Sequence, residues 1–110
     1  MSSGNAISIY NWNSNINSHE TAICASMPGK SQSGIIAISQ ANGIGSVYRA
    51  SAVGVERLFG NDVDGLDQAF VQTLCRSLGL DNLLVTLALK DRSVAVYREI
   101  IADISHTLVR

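Results

Sequence analysis

The chain has 110 residues, 46% of them hydrophobic and 15% charged, the size of a single domain with enough apolar side chain for one core, and unlike the composition of disordered chains. Eight Lys and Arg stand against nine Asp and Glu, and their scatter leaves no basic face for nucleic acid and no patch for a membrane surface. The start, Met1-Ser2-Ser3-Gly4-Asn5, lacks a positively charged stretch ahead of an apolar run, and nowhere do about 18 apolar residues follow one another, so we expect a cytoplasmic protein, with the nucleus as a second compartment.

In chain order, Ala6 to Trp12 alternates with Ile7 and Ile9 on one side and predicts a first strand, followed by a polar, Asn-rich turn over Asn11 to Ser18. Thr21 to Met27 is the second strand, stopped by Pro28-Gly29, with Lys30 to Ser33 turning the chain. Gly34 to Gln40 is the third. Ala41-Asn42-Gly43 then supplies residues suited to a tight connection into a fourth strand, Ile44 to Ala50. Ala52 to Phe59 alternates as a fifth strand.

The period changes next. Leu66, Phe70, Leu74 and Leu78 recur every four residues, with Ala69 and Thr73 beside them, as one face of a helix. Asp62 and Asp64 suit its start and Gly79 its left-handed end. Leu83 to Leu89 is a strand apolar on both sides. Asp91 or Ser93 caps a last helix that turns Val96, Tyr97, Ile100, Ile101, Ile104 and Leu108 inward. The expected fold is α+β in the order βββββαβα, with an antiparallel sheet of about six strands and two helices on one face. Two helices cover one face only, and neither face reads as solvated. The second face therefore either meets another polypeptide or lies under long loops or stays tolerably exposed with its Thr and Ala residues.

Catalysis requires convergent titratable groups, and the spacing assembles none. His19 and His106 read as surface histidines. Cys24 and Cys75, the only cysteines, read as reduced core thiols, and a Cys24–His19 pair lacks a third, orienting group. Neither Cys-x-x-Cys nor His-x-x-x-His occurs, so no metal or other cofactor is expected. The Gly-x-Gly of Asn42-Gly43-Ile44-Gly45 leads into a strand, whereas phosphate loops lead into a helix. Asn61 to Gly65 lacks the Glu of a calcium loop. Lys90-Asp91-Arg92, between the last strand and the last helix, is the densest surface feature, with a solvated turn as the plain alternative. Trp12, Tyr10 and Tyr48 can anchor a partner or pack in the core.

Two segments resemble the proteasome assembly chaperone 3 family. The first is Ile35-Ile36-Ala37-Ile38-Ser39-Gln40-Ala41-Asn42-Gly43-Ile44-Gly45-Ser46-Val47, similar to the family's apolar strand, short turn and Met-Gly-Thr-hydrophobic restart, with Ile44 for Met and Ser46 for Thr. The second runs from Leu58-Phe59-Gly60 to Leu84-Val85-Thr86-Leu87-Ala88-Leu89-Lys90-Asp91-Arg92-Ser93, whose close resembles the family's strand followed by Lys-Asp-x-Ser. Together they cover about two thirds of the chain, while residues 1–34 match only in being strand-like. The resemblance implies a non-enzymatic chaperone that pairs with a second small assembly chaperone, of the proteasome assembly chaperone 4 kind, or with itself. The pair would hold proteasome α subunits during α-ring assembly of the 20S core particle. Gln40, Asn42, Gly43 and Gly45, in the hairpin around Gln40 to Gly45, and Lys90, Asp91 and Arg92 are the expected protein-binding residues. A generic dimeric scaffold with another client, or a small-ligand-binding domain using Cys75 or Cys24, are the alternatives.

Overall fold

The computed structural model describes residues 8–27, 33–41, 43–60 and 65–108. Its elements are β1 (Ser8–Ile16), β2 (His19–Met27), β3 (Ser33–Gln40), β4 (Ile44–Ser51), β5 (Gly54–Phe59), α1 (Leu66–Ser77), β6 (Asn82–Leu89) and α2 (Val94–Leu108), in the expected order βββββαβα. The strands form one sheet ordered β1-β2-β3-β6-β4-β5. The expectations at Ala6, Ile7, Pro28-Gly29, Lys30, Asn42, Asp62 and Asp64 lie outside the described residues.

Alternation decides which side each strand buries. Ile23 and Ala25 on β2, Ile36 and Ile38 on β3, Leu83, Val85, Leu87 and Leu89 on β6, and Tyr48 and Ala50 on β4 all point to one face and are buried. Both helices lie on that face, α1 against β4, β5 and β6, and α2 against β1 and α1. Val71, Leu74, Val96, Ile100 and Ile104 complete the core with no exposed surface, and the rings of Phe70 and Tyr97 stack with centroids 4.4 Å apart. At roughly 1.5–3 kcal/mol for each large aliphatic side chain buried, this layer supplies most of the driving force for folding.

The sheet is mixed, where an antiparallel one was expected: β3 and β6 run parallel. α1 carries the chain back after β5, so β6 enters in the direction of β5, and the strand between them, β4, is antiparallel to both. β6 then fills the slot between β4 and β3. Its apolar residues on both sides favour this central place, where neighbours shield each edge. The expected hairpin around Gln40 to Gly45 is therefore opened: β3 and β4 are not paired with each other, because β6 lies between them, and the described Gly43 passes over the end of β6.

The Asn-rich segment is strand, not turn. β1 continues to Ile16 because Trp12, Ser14 and Ile16 alternate toward α2 while Asn11, Asn13 and Asn15 face outward, exposed. Only Asn17 and Ser18 turn, both at positive φ (50° and 70°), the geometry that suits a two-residue hairpin loop. The end of α1 is as expected: Gly79 sits at φ 66°, and the N–H groups of Gly79 and Leu80 donate to the carbonyls of Arg76 and Cys75. Ser93 caps α2, its Oγ accepting from Val96 N at 3.3 Å. Among the described residues no helix is long and apolar enough to cross a membrane.

Candidate protein-binding surface

Two loops named from the sequence come together at one end of the sheet because β3 and β6 run parallel and finish side by side. Gln40 ties them. It is 6% exposed; its Oε1 accepts the N–H groups of Lys90 (2.9 Å) and Asp91 (3.2 Å), and its Nε2 donates to Thr21 Oγ1 at 3.1 Å. Two carbonyl lone pairs and an amide hydrogen are thus spent internally, so Gln40 positions the 90–91 backbone and is not itself displayed. Gly43 N donates to Gln40 O at 3.1 Å where its backbone passes over β6. Gly45 lies on the other side of the sheet, with nothing within 4 Å of where a Cβ would stand.

Lys90 is exposed, and Asp91 is half-buried. Asp91 Oδ1 accepts Ser93 N at 3.0 Å, and that bond is the main reason its carboxyl titrates below the ordinary range. Its Oδ2 receives Asn17 Nδ2 at 3.2 Å and stands 3.8 Å from His19 Nε2, which links the β1–β2 turn to the same end. Arg92 turns inward. Its Nη1 meets Asp67 Oδ2 at 2.8 Å and its Nη2 reaches Ser46 Oγ at 3.4 Å.

Asp67 was not singled out in the sequence, yet it is the polar centre of the fold. At 1% exposure it accepts the Tyr48 hydroxyl at 3.0 Å and the Tyr97 hydroxyl on its other oxygen, besides the Arg92 guanidinium. Burial first, then the Asp67 carboxylate, raises the Tyr97 hydroxyl well above the usual tyrosine range. A signal for Asp67 was present: it stands three and four residues before Phe70 and Val71, on the apolar stripe of α1, and a carboxylate there needs a cation. The cluster joins β4, α1, the 90–93 loop and α2, and its bonds are internal. It organises the surface.

Among the described residues no helix lies on the opposite face of the sheet. Register places three rows across it: Ile9, Ser26, Ile35, Leu84, Arg49 and Glu56; then Asn11, Cys24, Ala37, Thr86, Val47 and Phe59; then Asn13, Ala22, Ser39, Ala88 and Gly45. Ile9, Ile35 and Phe59 are 68%, 51% and 69% exposed. The charges in these rows, Arg49 and Glu56, bond each other at 2.8 Å. The long-loop cover left open by the sequence is not present among the described residues. Cys24 lies exposed on this face, where a core thiol was expected, whereas Cys75 is buried and donates to Leu80 O at 3.2 Å. Of the aromatic candidates, Tyr48 is core, Trp12 is half-buried against α2, and Tyr10 is 39% exposed. Among the described residues no three His, Cys, Asp or Glu gather in a way that could hold a metal ion.

Compared with family models and with curated proteins, the chain matches none. The resemblance to the proteasome assembly chaperone 3 family rests on its two segments.

Proposed function

We propose that this protein is a non-catalytic, cytoplasmic binding domain that acts as an assembly chaperone for proteasome α subunits, paired with a second small chaperone or with itself. The observation that carries the reading is the bare sheet face: three rows of small and apolar residues whose charges neutralise each other, with Ile35 half exposed near its middle. Monomeric proteins rarely leave such a patch uncovered. The function needs binding free energy alone, with specificity from shape and from blocking wrong neighbours. Lys90 and Asp91, held at the sheet end by Gln40, are the client-facing loop, and Arg92 supports it from within. The two segments Ile35 to Val47 and Leu58 to Ser93 favour proteasome α subunits over another client.

Capture of the tagged full chain from its native cytosol, followed by mass spectrometry, tests the proposal. Recovery of proteasome α subunits without mature β subunits is expected, reduced by Ile35→Asp and by Lys90→Glu while both variants stay folded. Recovery of no proteasome component overturns it, and a different client lost with Ile35→Asp would identify a general scaffold using the same face.

A further inference from the structure

β1 is an edge strand of nine residues with no charge and no proline, and no described element pairs with its free side. Soluble proteins ordinarily guard such edges with lysine, proline, a bulge or short length. The other edge, β5, has these guards: it is six residues long, carries Glu56 and Arg57, and its register shifts opposite Val47 and Tyr48. β1 has none.

The hairpin decides which backbone groups of β1 are free. Asn17 and Ser18 form a two-residue loop closed by the pair Ile16–His19. In such a hairpin the closing pair exchanges both hydrogen bonds, and bonded pairs then alternate along the ladder. Ile16, Ser14, Trp12 and Tyr10 spend their amides on β2. Those of Asn15, Asn13, Asn11 and Ile9 point to the open edge.

We propose that this edge pairs with β1 of a second copy of the chain, antiparallel about a two-fold axis at Trp12. That register engages all nine residues, sets outward amides against outward amides, and puts Asn11 opposite Asn13 of the second copy, with no charged side chain on either strand. Self-pairing of β5 about Glu56 or Arg57 would instead set Glu against Glu or Arg against Arg. In the layer below, the two copies present α2 to each other, and the Asp103 carboxylates near the axis are each held by two donors of their own copy. Trp12 Nε1 and Ser14 Oγ both donate to Asp103 Oδ2 at 2.7 Å, so Asp103 lies close to the axis and the two α2 helices run antiparallel beside it. Glu99 and His106 stand equal steps either side of residues 102–103, so Glu99 of one copy meets His106 of the other. The exposed Ala102 lets the helices approach. The product is one continuous sheet of twelve strands, twice the six observed, with both bare faces on the same side. This interface does not depend on the proposed client or on pairing through that face.

Light scattering and sedimentation on the full chain carrying Ile35→Asp, which disables the bare face, test the edge alone. A mass of twice 11.7 kDa is expected. Adding Asn13→Pro removes one outward N–H and keeps the bonds to β2, and should raise the dissociation constant roughly tenfold or more. Asn11→Lys with Asn13→Lys, whose side chains are exposed, should do the same without strain on the backbone, and salt should relieve it. A monomer from Ile35→Asp alone at every concentration, or a dimer unmoved by both edge changes, overturns the proposal.

Discussion

A methyl group at Gly43 would stand 2.1 Å from the Ala88 carbonyl oxygen and 2.4 Å from its carbon, both backbone atoms that cannot swing aside. The residue is glycine because its backbone crosses the end of β6 in contact. Gly43→Ala should therefore cost about 2–4 kcal/mol, the scale of overpacking against fixed backbone. Gly45→Ala, into open space, should change stability by less than about 0.5 kcal/mol. Paired thermal melts check both, and an unchanged melting temperature for Gly43→Ala would mean the Gly43 backbone can lift off β6. Asp67 is the second decisive residue. Asp67→Asn leaves Arg92 without its anion in a site only about one fifth exposed, so a loss of about 3 kcal/mol is expected in urea titration. The same pair shows why reversing charge at Arg92 is a poor probe of client binding: it would set two carboxylates together, whereas Lys90 can be reversed without touching the cluster.

At the scale of elements, the final helix was legible in full. Val96, Tyr97, Ile100 and Ile104 are buried, and Ile101 and Leu108 half-buried, because a 3.6-residue period over fifteen residues leaves one face no other role. α1 was legible in position but rotated: Ala69 and Thr73 are exposed, while Asp67, Val71 and Cys75 turn inward. β1 was shortened by reading asparagine as a turn former, although its alternation with Trp12, Ser14 and Ile16 is that of a strand. What holds this edge strand to the fold's last helix is the Asp103 carboxylate, shared by Trp12 and Ser14. Asp103→Ala should cost about 2 kcal/mol, as two hydrogen bonds to a partly buried charge are lost. Because Trp12 is the chain's single tryptophan, its fluorescence should report the same change directly, and an unaltered emission would mean the indole keeps its site without the bond.

For the whole molecule, stability should be limited on the alkaline side. Burial first, then Asp81, pushes the Cys75 thiol above its ordinary 9.0, and burial does the same to Tyr97. Both groups stay neutral when folded and ionise in the unfolded chain, so stability is fully present below about pH 9 and is lost as pH rises past it. Cys75→Ala should flatten that slope even though it lowers stability itself, and an identical slope would exclude the thiol as a source. The sequence alone was enough to determine the order of the elements, the apolar stripe of the last helix and the strand that is apolar on both sides, because these follow from the period of residues near one another in the chain. It also determined that one sheet face would lack a helix, since two helices can cover only one. Tertiary structure alone decided that β6 slips between β3 and β4, that Gln40 and Arg92 are spent holding a loop, and that Asp67 joins four elements. Those outcomes depend on which distant segments share an edge or a cavity, and local periodicity carries no record of that choice.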